Sequence, residues 1–176
     1  MHKQLSEVLE KLDRDTQHVI AILQQVPADV LHHSDGNNWS ALQIATHIAT
    51  AERTSLQYMQ KKYLGVNQLA NTGLTEAVKL LLLKLSQRLP IRYKAPVHVV
   101  ERTPAMESLQ ALTAYWMETR DTLRNFLSDI PEVQIRKKIY KHPIAGYLNV
   151  VQGVAFLREH LLHHLPQIEK RVNNKK

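Results

Sequence analysis

The chain has 176 residues, 44% of them apolar and 22% charged, with five glycines and seven prolines. That is the composition of one folded domain, and the absence of cysteine excludes disulfides, thiolate metal sites, iron–sulfur clusters and a cysteine nucleophile. The formal charge is +7, but Lys170, Arg171, Lys175 and Lys176 supply four of those charges, and the mild excess left over residues 1–169 is too sparse for a nucleic-acid-binding face.

No apolar run approaches the roughly 20 residues needed to cross a bilayer. The opening stretch MHKQLSEVLEKLDRD has no signal-peptide core, so a cytoplasmic protein is expected. Leu5, Val8, Leu9, Leu12, Val19, Leu23 and Val26 recur at steps of three and four and predict a first helix, closed near Pro27. His32 and His33 fall in a loop, and residues 35–38, with Gly36, have turn composition. Ser40 and Gln43 form a capping-box pair that opens a second helix running to about Lys62. Residues 65–73 read as a polar connection, and Thr75 to Leu89 as a shorter leucine-rich helix stopped by Pro90. Residues 90–103 have no helical period and read as irregular or extended chain. Thr103 and Pro104 fit the cap and first position of a helix continuing through Leu109, Leu112, Trp116, Leu123 and Leu127. Residues 128–148 read as a structureless link, after which Asn149 and Gln152 repeat the capping-box spacing and open a last helix through Ile168. Four helices of about 20 residues, each about 30 Å long, predict an all-α four-helix bundle with an additional short helix. Strand content is expected to be near nil, with one domain over residues 1–169 and a basic tail over 170–176.

There are ten histidines, and their placement matters more than their number. In REHLLHHLPQIE, His160 and His164 stand four residues apart, on one helical face and near enough to chelate one ion. His160 with His163 is a second possible pair, and histidines near a helix C-terminus also favour the dipole without any metal. A third ligand must come from elsewhere. His47, mid-helix in WSALQIATHIATAE and off the main apolar stripe, is the best candidate. Three neutral imidazoles leave positions for water and substrate, the pattern of a catalytic site for zinc, nickel or iron. His98 is a weaker candidate for the same groove, His142 in KHPIAG reads as a turn or packing residue, and His2 and His18 as solvated. No phosphate loop, HExxH motif or nucleophile elbow is present, and spacing pairs no two of Asp13, Asp15, Glu52 and Glu118 as acid and base. The aromatic residues Trp39, Trp116, Tyr58, Tyr115, Tyr140 and Tyr147 read as core or groove lining.

Three stretches together resemble the DinB-like proteins, more closely their YfiT-like metal-dependent branch. They are NWSALQIATHIATAE, YKAPVHVVERTP and HPIAGYLNVVQGVAFLREHLLHHLPQI, the last carrying His142-Pro143, Gly146, Asn149, His160, His164 and Gln167 in the family's order. The resemblance spans nearly the whole chain. It implies up-down-down-up connectivity, a homodimer, and a divalent transition metal (zinc, nickel or iron) held by His47, His160 and His164. Gly153 departs from the pattern, because many relatives have tryptophan there, and implies a wider groove or a looser helix. The family's activities imply a hydrolase or a thiol S-transferase acting on a small-molecule substrate. Metal-bound water or a low-molecular-weight thiol would be the activated group, with Gln167 or a groove tyrosine orienting ligand or substrate. No general base is assigned. No nucleic-acid or membrane partner is expected, and the alternative is a bundle that binds metal or a partner without turnover.

Overall fold

The computed structural model describes residues 1–34, 36, 38–76, 78, 79, 81, 82, 103–142 and 145–173. The apolar periods become four long helices, α1 (Lys3–Gln24), α3 (Ala41–Tyr63), α4 (Leu109–Ser128) and α5 (Val150–Asn173), with a short α2 (Ala28–His32) after the first. In α1 the buried positions are Leu5, Leu9, Leu12, Thr16, Val19 and Leu23, an alternation of four- and three-residue steps that keeps one face turned inward. His2 caps this helix, its Nδ1 accepting the Gln4 amide at 3.2 Å. The core is closed by Ile48 and Met59 from α3, Trp116 and Leu123 from α4, and Leu157 and Leu161 from α5. No helix among the described residues is long and apolar enough to cross a membrane.

Side-chain pairs fix the helix directions. Asp13 meets Arg124, Thr16 meets Arg120, and His2 lies near Glu132 beyond the end of α4, so α1 and α4 are antiparallel. Glu52 meets Trp116 and Tyr63 meets Phe126, so α3 and α4 are parallel. His47 faces His164 while Met59 lies against Gly153, so α3 and α5 are antiparallel. It follows that α1 and α5 are parallel neighbours, joined at Arg158 Nε to Asp15 Oδ2 at 2.6 Å. This is an all-α, up-down-down-up four-helix bundle.

Several local expectations are corrected. The turn of chain after Pro27 is helical through His32, with Leu31 buried as its anchor, so His32 lies in α2 and His33 caps it. The described residues of 74–82 are helical, one residue earlier than expected. The remainder of that helix, the extended stretch over 90–102, His98 and Pro143 lie outside the described residues. Helix α4 starts at Leu109, with Ser108 Oγ accepting the Ala111 amide at 3.1 Å, and not at Thr103-Pro104. Residues 128–148 are not structureless. They hold a 3-10 turn (Glu132–Gln134) and an antiparallel hairpin, β1 (Tyr140–His142) with β2 (Gly146–Leu148), paired Tyr140 to Leu148 and His142 to Gly146. So small a hairpin is marginal by itself. Here the Tyr140 hydroxyl shares a 3.0 Å hydrogen bond with Ser55 Oγ of α3, Tyr140 stacks on Phe156 of α5, and Gly146 supplies the φ of +76° that the turn requires. Helix α5 continues past Pro166 to Asn173, placing Lys170 and Arg171 in its last turn at the negative end of the helix dipole.

Candidate metal centre

Two capping boxes set the helices that carry the histidines. On α3, Ser40 Oγ accepts the Gln43 amide at 3.2 Å while Gln43 Oε1 accepts the Ser40 amide at 2.8 Å. On α5, Asn149 Oδ1 accepts the Gln152 amide at 2.9 Å and Gln152 Oε1 accepts the Asn149 amide at 3.1 Å. Each pair satisfies donors that a helix start leaves open and fixes where the helix begins. His47 then lies about two turns into α3, and its antiparallel neighbour α5 presents His160 and His164 across from it. The ring centroids of His47 stand 5.1 Å from those of both His160 and His164, which are 4.7 Å from each other. One ring nitrogen from each of the three lies within 4.8 Å of the other two. Around them, Trp39 lies 5.2 Å from His47, Phe156 6.0 Å from His160 and His163 5.0 Å from His164, centroid to centroid.

Burial disfavours the charged imidazolium in this cluster and lowers the pKa of His47. For His164 burial comes first and the neighbouring His47 second, bringing it to about 4, although Gln167 opposes the shift. His160 is lowered too, by burial and then by the surrounding His164, His47, His163 and His142. All three rings are therefore neutral at pH 7, the form that donates a lone pair to a metal. Three neutral imidazoles converging from two helices fit a divalent transition ion, and the cluster is capable of coordinating one.

Of the predicted residues, His47, His160 and His164 come together, and His163 packs on the outer side of His164, outside the cluster. His142 is buried on β1 with its ring 4.3 Å from Phe156, its Nδ1 accepting the Ala145 amide at 3.0 Å. His18 is exposed on α1. The carboxylates are engaged elsewhere: Asp13 and Glu52 with Arg120, Asp15 with Arg158, and Glu118 with Arg53. The widened groove expected at Gly153 is not found. A Cβ there would stand 3.2 Å from Met59 Sδ and 3.5 Å from Tyr140 Cβ, so the hairpin's tyrosine already occupies that side of α5. Tyr140 is buried, as its reading as core or groove lining anticipated, but the hairpin that carries it is too short to show a period in the sequence.

An up-down-down-up bundle with three histidines of two antiparallel helices converging at one level defines a helical-bundle protein with a candidate metal centre. The DinB superfamily model matches residues 9–168, a span that contains all three histidines, and the chain belongs to that superfamily. No curated protein and no solved structure gives a significant match.

Proposed function

We propose that this chain is a metal-dependent enzyme of the YfiT-like kind, in which His47, His160 and His164 hold one zinc, nickel or iron ion. Its substrate is a small molecule, which it hydrolyses or joins to a low-molecular-weight thiol. The observation that carries this reading is the meeting of three neutral ring nitrogens within 4.8 Å. A divalent ion bound there supplies Lewis acidity, lowering the pKa of a coordinated water or thiol toward neutrality. The chain's own part is to keep three rings neutral, fixed by two capped helices, with Trp39 and Phe156 flanking them. A homodimer in the cytoplasm belongs to the same proposal.

A second reading, a bundle that binds metal without turnover, is favoured by the engagement of four carboxylates in ion pairs: Asp13 and Glu52 with Arg120, Asp15 with Arg158 and Glu118 with Arg53, which leaves none of these four as a general base.

Metal content of the tag-free protein, measured by elemental mass spectrometry beside a His160→Ala, His164→Ala double variant, tests the proposal. Near one equivalent in the wild type, lost in a variant that keeps its helical circular dichroism, supports the ligand set. Screens of thiols with electrophiles, and of esters and amides, then separate the two reactions. Metal-dependent turnover in either supports the enzyme, whereas a loaded protein inert in both favours the second reading. A wild-type chain that stays empty when offered zinc, nickel and iron overturns both.

A further inference from the structure

His164 and Gln167 are three residues apart on α5, and His164 Nδ1 lies 3.2 Å from Gln167 Oε1. An amide oxygen only accepts, so this contact is a hydrogen bond only if Nδ1 carries the proton. A neutral imidazole has one N–H, and the lone pair is then on Nε2. His142 shows the opposite arrangement: its Nδ1 accepts the backbone amide of Ala145 at 3.0 Å, which uses that lone pair and puts the proton on Nε2. Two histidines of one neighbourhood, His142 buried and His164 half-buried, are thus held in opposite tautomers by different partners, one the backbone and one a side chain.

We infer that Gln167 is a positioning residue that holds the proton of His164 on Nδ1 and so selects Nε2 as its donor nitrogen. Left to solvent, the ring exchanges its proton between the two nitrogens, and an ion has to select the right form at each encounter. Gln167 makes that selection beforehand. Partners of this sort, which accept the remote N–H of a ligating imidazole, fix ring orientation and raise its basicity. Its place in the helix makes the device local, since residues three apart are neighbours on one face and need no other element to bring them together. If the amide of Gln167 is turned the other way, its NH2 group donates into Nδ1 and the selected tautomer is the reverse, so the assignment is open to direct measurement.

Two-bond nitrogen–proton correlation spectra of 15N-labelled, metal-free full-length protein at pH 8 read the tautomer, with His164 assigned by its loss in a His164→Gln variant. The wild type is expected to show His164 protonated on Nδ1, and Gln167→Glu, which keeps an acceptor oxygen, to show the same. Gln167→Leu is expected to move His164 toward the Nε2–H form while leaving His142 unchanged. A wild-type His164 protonated on Nε2, or a Gln167→Leu spectrum identical to wild type, overturns the inference. A second arm rests on the ligand reading proposed above. Zinc affinity by chelator competition should fall about tenfold in Gln167→Leu and not in Gln167→Glu. Equal weakening in both variants overturns the positioning role. A wild type that takes no zinc sinks the ligand reading alone, because the tautomer spectra still decide the part played by Gln167.

Discussion

Arg120 of α4 meets Glu52 of α3 side-on in the bundle interior, Nε to Oε1 and Nη2 to Oε2, both at 2.8 Å, with each side chain only 3% exposed. Trp116 Nε1 donates to the same carboxylate at 2.9 Å, Thr16 Oγ1 accepts from Arg120 Nη2 at 3.0 Å, and Asp13 accepts from Nη1. Buried charges are costly unless their partners are placed well, and here three helices supply them at one level. The network accounts for Thr16, the polar member of the α1 stripe, and it pins the register of the parallel α3–α4 pair.

Replacing Arg120 by Met should therefore cost about 3–5 kcal/mol, because Glu52 is left buried without its cation, whereas Asp13 keeps Arg124. The loss reads out as a lower urea midpoint with an unchanged slope. Adding Glu52→Met should recover part of it, since the stranded charge is removed as well. A single variant within about 0.5 kcal/mol of wild type would contradict this account, since that is the range of an ordinary surface substitution.

Acid should weaken the fold through its histidines. His142 and His164 have folded-state pKa values of about 4, both lowered chiefly by burial from an ordinary value of 6.5. Between those limits the unfolded chain takes up protons that the folded chain does not. Stability is then complete above pH 6.5 and is lost as the pH falls toward 4, by up to about 1.4 kcal/mol per pH unit for each ring. The urea midpoint should be lower at pH 5 than at pH 7.5, whereas bound zinc should be released only as the pH approaches 4, where the folded rings themselves begin to take up protons. Midpoints that agree at the two pH values would refute the assignment of these rings as neutral in the folded chain.

At Gly153 the outcome depends on size. Alanine gains about 1 kcal/mol of helix propensity. Its Cβ also meets Met59 Sδ at 3.2 Å, a contact that a flexible thioether relieves by a small shift. Gly153→Ala should be close to neutral. Gly153→Trp has to displace Tyr140 from the α5 backbone and should cost 1–3 kcal/mol or more, roughly the penalty for overpacking a filled interior. Loss of the Ser55–Tyr140 hydrogen bond in a structure of the tryptophan variant would show the hairpin to be the element that moves. A tryptophan variant as stable as wild type would show that the site has room.

The residues that proved legible in the sequence act locally. The stripe of α1, the two capping boxes and the four-residue spacing of His160 and His164 depend on helix geometry alone, which a sequence encodes in its spacing. His47 was legible for a different reason, as a histidine in mid-helix off the main apolar stripe. What escaped depends on distant partners. Arg120 and Glu52 are 68 residues apart, and a charge on an amphipathic helix looks solvated until its partner is known. The hairpin is too short to show a period and relies on the wall provided by α3 and α5. At the start of α4 two cap signals compete within a few residues, and Ser108 prevails over Thr103 with a side-chain bond to Ala111.

Because α1 and α5 run the same way, the two ends of the bundle's chain stand at opposite ends of its long axis. With Asp15 and Arg158 level, Lys3 lies about 24 Å along that axis from the histidines, whereas Asn173 lies only about 13 Å from His164. An oligohistidine purification tag on the C-terminal side would reach the cluster through a few residues of linker and add stray imidazoles to any count of bound ions. Placed ahead of α1, the same tag is separated from the cluster by most of a helix length.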